Sequence, residues 1–196
     1  MIELRNVTLG YEGIDPVENC NIKIPNSGVV AVLGASGVGK STLLKGIAGL
    51  ITPKQGEINK NEHKLSMVFQ ENRLLLTLNA LENVMLVERD KHQTKKAYEM
   101  LKLVELNGNE EKLVSELSGG MQRRVSIARA LMFGGNTLLL DEPFEGLDRD
   151  LRIRIAKRIR EMYDLIIISS HDNDGELFLN NDEALFCIDI QKISNI

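Results

Sequence analysis

Cysteine is nearly missing from this chain, and so are the spacings that would give it a role. Cys20 and Cys187 are the only two, far apart in strand-like segments, with no metal-ligand spacing between them. A small buried hydrophobe with a free thiol is expected at each. Also missing is a basic excess. The formal net charge is -4, so the chain has no positive field for a polyanion and nucleic acid is not an expected partner. No apolar run approaches the roughly 20 residues that span a bilayer. The opening Met1-Ile2-Glu3-Leu4-Arg5 lacks the basic start and apolar core of a signal peptide, and a cytoplasmic location is expected. Repeats and low-complexity segments are absent. What remains is a globular composition, 27% charged and 43% hydrophobic over 196 residues. That length suits one domain, 1–196, burying roughly 70% of its unfolded surface, with a lobe inserted into it.

The strongest feature present is Gly34-Ala35-Ser36-Gly37-Val38-Gly39-Lys40-Ser41-Thr42, which fits the phosphate-binding pattern GxxxxGK[ST] at every required position. It follows the buried-strand run Val29-Val30-Ala31-Val32-Leu33 and leads into the helical Leu43-Leu44-Lys45-Gly46-Ile47-Ala48. The chemistry is geometric: glycines let successive N–H groups point at phosphate oxygens, and the helix N-terminus adds partial positive charge. Lys40 is placed to reach the terminal phosphates, Ser41 to present its hydroxyl to Mg²⁺, and Thr42 to hold the loop. A nucleoside triphosphate site is expected.

In chain order, residues 2–9 and 17–24 alternate as half-buried strands joined by a turn over 10–16, an antiparallel edge to the sheet. Tyr11, in that turn, is either a packing tyrosine or an aromatic that stacks on a base. Gly49 to Gly56, with Pro53, ends the first helix. Leu65-Ser66-Met67-Val68-Phe69-Gln70 reads as a strand ending on Gln70, which would face the ligand crevice, within reach of Mg²⁺ or the attacking water. From Asn79 to about Lys112 the period is helical, with Lys91, His92, Lys95 and Lys96 as a solvated face. Ser118 is a natural cap for the helix Arg123–Leu131, and Gly119 and Gly120 leave its first N–H groups open to an anion. The buried strand Thr137–Leu140 ends in Asp141-Glu142-Pro143. There Asp141 is placed to hold Mg²⁺ through water, and Glu142 to deprotonate a water attacking the γ-phosphate. Gly146-Leu147-Asp148 opens a helix to about Tyr163 in which Leu151, Ile155 and Ile159 oppose a solvated run Arg152, Arg154, Arg158 and Arg160. Leu165–Ser170 is another buried strand with His171 at its end, and the stretch from Ala184 reads as an edge strand.

Together these pieces resemble the ATP-binding cassette (ABC) ATPase family over nearly the whole chain. Leu117-Ser118-Gly119-Gly120-Met121-Gln122 is similar to the family's signature motif, which other P-loop kinases and GTPases lack. The resemblance implies a P-loop NTPase (RecA-like) α/β core at about 1–75 and 134–196, an antiparallel β edge, and an α-helical subdomain at about 76–133. It makes Tyr11 the adenine-stacking aromatic, Gln70 the Q-loop glutamine, Asp148 the D-loop aspartate and His171 the histidine that senses the γ-phosphate. Glu142, His171 and Gln70 become the catalytic set, ATP the nucleotide, and Ser41, Gln70 and Asp141 the Mg²⁺ ligands. In the family two cassettes pack head to tail, so Ser118, Gly119 and Gly120 would contact ATP held by a second cassette, most simply a second copy. Phe69–Leu75, Leu81–Val84 and Glu142–Phe144 look most like importer cassettes for nitrate, sulfonate or taurine. Integral membrane permease subunits are then the expected partners, docking along Glu71 to Leu78 with Arg73, Leu74 and Leu75 as candidates, on the inner face of the cell membrane. A soluble cassette of the iron-sulfur assembly type is the alternative. Gly146 in place of a common alanine, a longer stretch from His171 to Asp182 and a final segment 189–193 without its glycine depart from the pattern.

Overall fold

The computed structural model describes residues 1–60, 63–87, 91–169, 174–179 and 184–190. The chain runs through β1 (Ile2–Tyr11), β2 (Ile14–Ile24), β3 (Gly28–Leu33), α1 (Lys40–Ala48), β4 (Gln55–Asn59) and β5 (Leu65–Val68). It continues through α2 (Ala80–Met85), α3 (Thr94–Leu103), α4 (Gly119–Phe133), β6 (Thr137–Asp141), α5 (Arg149–Arg160), β7 (Leu165–Ser169) and β8 (Leu185–Asp189).

The central sheet is parallel, in the order β5-β6-β7-β3-β8. Its inner strands read as unbroken apolar runs because both faces are covered. Val30, Val32, Leu139 and Ile167 pack on one side with Leu43, Leu44 and Ile47 of α1 and with the antiparallel sheet. Val29, Ala31, Leu138, Leu140, Ile166 and Ile168 pack on the other with α4, α5 and the stacked rings of Phe144 and Phe178. Every parallel strand points its C-terminal end the same way, so the residues just beyond β3, β5 and β6 meet at one crevice.

The antiparallel edge is a sheet of its own, ordered β2-β1-β4. Strand β4 has no counterpart in the sequence reading, since Gln55-Gly56-Glu57-Ile58-Asn59 has one apolar residue and a glycine. Pairing with β1 decides it. The β1–β2 turn is tighter than the expected 10–16: Tyr11 already pairs with Ile14. Pro16 is tolerated within β2 because that strand lies at the sheet's edge, where a missing N–H costs no ladder bond.

Helices α2, α3 and α4 pack between β5 and β6 in sequence, and their apolar residues Val84, Leu101 and Val125 join the same cluster as the sheet. The lobe has no separate core. A capping box starts α2, in which Asn79 Oδ1 accepts from the Glu82 amide and the Asn79 amide donates to Glu82 Oε2. Ser118 caps α4 through Oγ at 3.3 Å from the Met121 amide, as expected. The arginine run of α5 stays partly solvated, as expected, but its guanidinium groups also reach partners on other elements. Arg154 grips Glu105 with both Nε and Nη2, at 2.8 and 2.9 Å, and Arg158 donates to Leu103 O at 2.7 Å. These bonds tie α5 to the end of α3, whose unsatisfied carbonyls need donors. Lys96 likewise turns inward and donates to Met132 O.

Cys20 is buried as expected, but Cys187 is exposed. Among the described residues strand β8 pairs only with β3, at the edge of the sheet, and Cys187 and the neighbouring Phe186, on opposite faces of the strand, are both exposed. Among the described residues no helix is long and apolar enough to cross a membrane.

Candidate functional site

The loop between β3 and α1 carries the phosphate pattern. Gly39 caps α1 with φ +111, and a Cβ there would fall 2.7 Å from Pro16 O. Glycine is therefore required twice over, by the backbone angle and by the close approach of β2. That approach also brings the β1–β2 turn against the loop, with Tyr11 half exposed on it. Lys40 is buried, and its Nζ donates to Gly34 O and Ala35 O, both at 2.9 Å, which holds the ammonium inside the loop.

A cavity of about 290 Å³ opens over this loop, lined by Ser36, Gly37, Gly39, Lys40, Ser41, Thr42, Gln70 and Glu142. Gln70 follows β5 and Glu142 follows β6, and Gln70 Nε2 lies 3.4 Å from Glu142 Oε2. Asp141, at the last position of β6, is buried. Its Oδ1 accepts from Ser41 Oγ at 2.9 Å and from Ser169 Oγ at 2.6 Å, while Oδ2 has no hydrogen-bond partner among the described residues. Glu142 has φ +48, a left-handed angle that costs a non-glycine residue of the order of 1 kcal/mol. Its amide donates to Ser169 O at 3.0 Å, which helps hold the turn.

Ser118, Gly119 and Gly120 are not part of that cavity. They start α4 beside the turn before α5, where a Cβ on Gly120 would lie 3.1 Å from Gly146 O. Gly146 has φ +74, which accounts for glycine where an alanine is common. Asp148 caps α5, accepting from the Leu151 amide at 2.9 Å. His171 lies outside the described residues.

Two residues that sequence reasoning passed over organise the site. Ser169 is one: a hydroxyl ending an otherwise apolar strand is the signal that could have found it. Arg123 is the other. It is buried, its guanidinium donates to carbonyls of both the Gln70 loop and the Glu142 turn, and burial pushes its pKa below the usual arginine range against the pull of Glu145, Asp141 and Glu142. Its signal was an arginine in the first turns of a helix, where the dipole disfavours a cation.

A second, larger depression of about 470 Å³ lies between the sheet and the lobe. Its walls include Leu50, Met67, Phe69, Arg73, Leu86, Val87, Arg129 and Phe133. Of the three docking candidates, Arg73 lines it, stacked over the Phe69 ring at 4.1 Å. Leu74 packs against the core, and Leu75 is exposed outside the groove's lining.

A phosphate loop between strand and helix, with an acid-bearing turn at the end of a parallel strand of the same sheet, defines a P-loop nucleoside triphosphatase. A protein-family profile described as ABC transporter matches residues 17–145. The aliphatic sulfonates import ATP-binding protein SsuB of Bacillus cereus (strain ZK / E33L) is 39% identical over 86% of this chain and 72% of its own length. The Fe(3+) ions import ATP-binding protein FbpC of Escherichia coli O157:H7 is 36% identical over 94% of this chain, which spans 58% of that protein. The dimeric post-hydrolysis structure of the ATP-binding cassette MJ0796 bound to ADP and Pi superposes with a TM-score of 0.84 at 28% identity, over 97% of this chain and 95% of that one. The chain belongs to the ABC transporter family as an ATP-binding cassette, and it is an ATPase.

Proposed function

We propose that this chain is the ATP-hydrolysing subunit of a solute importer, held at the inner face of the cell membrane by permease subunits on other chains. The observation that carries the reading is the convergence of Lys40, Ser41, Gln70 and Glu142 on one cavity. Import is supported by the names of SsuB and FbpC, which differ in cargo but share the direction.

In this reading the amides of the 34–42 loop and Lys40 bind the phosphates of ATP, and Tyr11 stacks on the base. Glu142 takes the proton of the attacking water, and Gln70 orients that water beside it. His171, assigned from its motif alone, senses the γ-phosphate. The donor set fits Mg²⁺: the unpartnered Oδ2 of a buried carboxylate stands beside the Ser41 hydroxyl, and Gln70 borders the same cavity. Such an ion is commonly held by one or two carboxylates and the substrate's phosphates. When bound it would neutralise developing phosphate charge, with Ser41, Gln70 and Asp141 holding it.

Ser118, Gly119 and Gly120 face away from this cavity's lining and complete the site of a second cassette, so two ATP molecules lie between two chains. Moving such a pair from 1:99 to 99:1 closed needs about 5.5 kcal/mol of differential binding, and two interfacial nucleotides are suited to supply it. The groove that Phe69 and Arg73 line is then the seat of the permease segment, one loop away from Gln70. Light scattering of the E142Q protein tests the reading. A dimer is expected with Mg·ATP and a monomer without it, together with lost turnover. Near-parental hydrolysis by E142Q would remove Glu142 as the base.

A further inference from the structure

We infer that Arg123 is a positioning residue that locks the Gln70 loop and the Glu142 turn into one frame, so that helix α4 sets how Gln70 and Glu142 face each other. The inference rests on the roles proposed above for those two residues. Arg123 Nη1 donates to Phe69 O at 2.6 Å, Gln70 O at 3.0 Å and Asn72 Oδ1 at 3.3 Å. Nη2 donates to Asp141 O at 2.8 Å and Glu142 O at 2.7 Å, and Nε to Pro143 O at 2.8 Å. One planar ion thus clasps the two backbone segments whose side chains meet across the nucleotide cavity.

The fork, 3% exposed, is engaged chiefly by main-chain carbonyls of two different loops, a geometry that fixes their spacing through a rigid plane. Glu142 sits at φ +48, and its carbonyl is one of those held. The same helix repeats the arrangement six residues on. Arg129 donates to Asn72 O at 2.9 Å and to Arg73 O at 2.7 Å, and Arg73 also has φ +48. Both arginines stand on the one helix α4, so any displacement of α4 carries both ends of the 69–73 loop, and through Arg123 the turn that bears Glu142. None of the residues of the 34–42 loop is among the Arg123 partners named above, so the amides that cradle the phosphates are not held by it directly.

R123A would leave buried carbonyls without donors and is expected not to fold. R123K keeps the charge and the stem but lacks the fork, and it is the variant to measure. Steady-state ATPase of R123K should show kcat lowered about 10- to 100-fold, the scale of a misplaced catalytic group, with KM for ATP within about twofold of the parent. E142Q is measured alongside. Parental turnover by E142Q would sink the reading of the site itself. An inactive E142Q with parental kcat in R123K would overturn the inference alone. Parallel loss of ATP affinity and kcat in R123K, or failure of R123K to fold, would equally overturn it, since Arg123 would then be a structural staple.

Discussion

Ser41 Oγ donates to Asp141 Oδ1 at 2.9 Å across a hundred residues of sequence, and the other oxygen of that carboxylate is buried without a partner. The carboxylate joins the phosphate loop to the end of β6, and Ser169 holds it from the neighbouring strand β7. A buried acid with one oxygen doubly bonded to hydroxyls and one left open is a poor structural choice and a good cation ligand.

Replacing Asp141 by Asn keeps the size of the side chain and removes its charge. The Mg²⁺ concentration for half-maximal ATPase is expected to rise about 10- to 100-fold, the range typical of disturbed metal sites. An unchanged Mg²⁺ titration would remove Asp141 from the cation site.

Lys40→Ala removes the ammonium that the loop holds over Gly34 O and Ala35 O. A charged hydrogen bond contributes about 1.5–3 kcal/mol, so ATP affinity should fall about 10- to 100-fold by equilibrium binding. Binding within about twofold of the parent would show that Lys40 does not reach the phosphates.

Phe133 is 47% exposed on the groove wall, with Lys64 over its ring. Phe133→Glu puts a charge into an apolar seat far from the cavity that Glu142 lines. ATPase of the isolated protein should stay near parental while copurification with membrane subunits is lost. Retained copurification would place the permease contact elsewhere.

The Arg154 guanidinium hydrogen-bonded to Glu105 holds that carboxyl below its usual range. A lowered folded-state pKa gives stability that is present above the unfolded value near 4.3 and lost as pH falls through the folded one. Glu105→Ala should therefore be less stable than the parent by up to about 1 kcal/mol at pH 7, a modest figure because the pair is partly exposed. In acid, once the pH lies below the folded-state value of that carboxyl, the two proteins should unfold alike. Denaturant titration at both pH values reads this, and a gap that persists in acid would assign the effect to packing.

Burial pushes the Cys20 thiol up to about 12, and Cys187 is exposed. A thiol reagent at pH 7.5 should label Cys187 in the native protein and Cys20 only after unfolding, as read by mass spectrometry. Rapid native labelling of Cys20 would mean that the β1–β2 sheet opens readily.

The phosphate loop, the acids after β6 and the signature start of α4 were legible because each is contiguous in sequence and dictated by local chemistry. Gly39 must take φ +111, Ser118 must cap, and Asp141 must follow an apolar strand, whatever surrounds them. The apolar runs at Val29–Leu33 and Leu165–Ser169 likewise announce strands covered on both faces. Strand β4 was not legible, since its residues have no alternation and take their conformation from β1. Nor were the arginines. Arg152, Arg154 and Arg158 look like a wet face in the pattern of α5, and only the tertiary positions of Asp174, Glu105 and Leu103 give their guanidinium groups partners. The exposure of Cys187 had the same origin, because a short strand does not disclose which of its faces a neighbour covers.

Sequence alone thus determined the kind of chemistry, because binding phosphate depends on a few consecutive residues whose backbone angles and side chains are set within one turn. Tertiary structure alone decided how the parts meet: Gln70 at 3.4 Å from Glu142, Ser41 on Asp141, and Arg123 between two loops. Those contacts join residues separated by some twenty to a hundred positions. Which distant carbonyl an arginine meets is fixed by the order of strands in the sheet and by the packing of α4 upon it, and no local pattern carries that information.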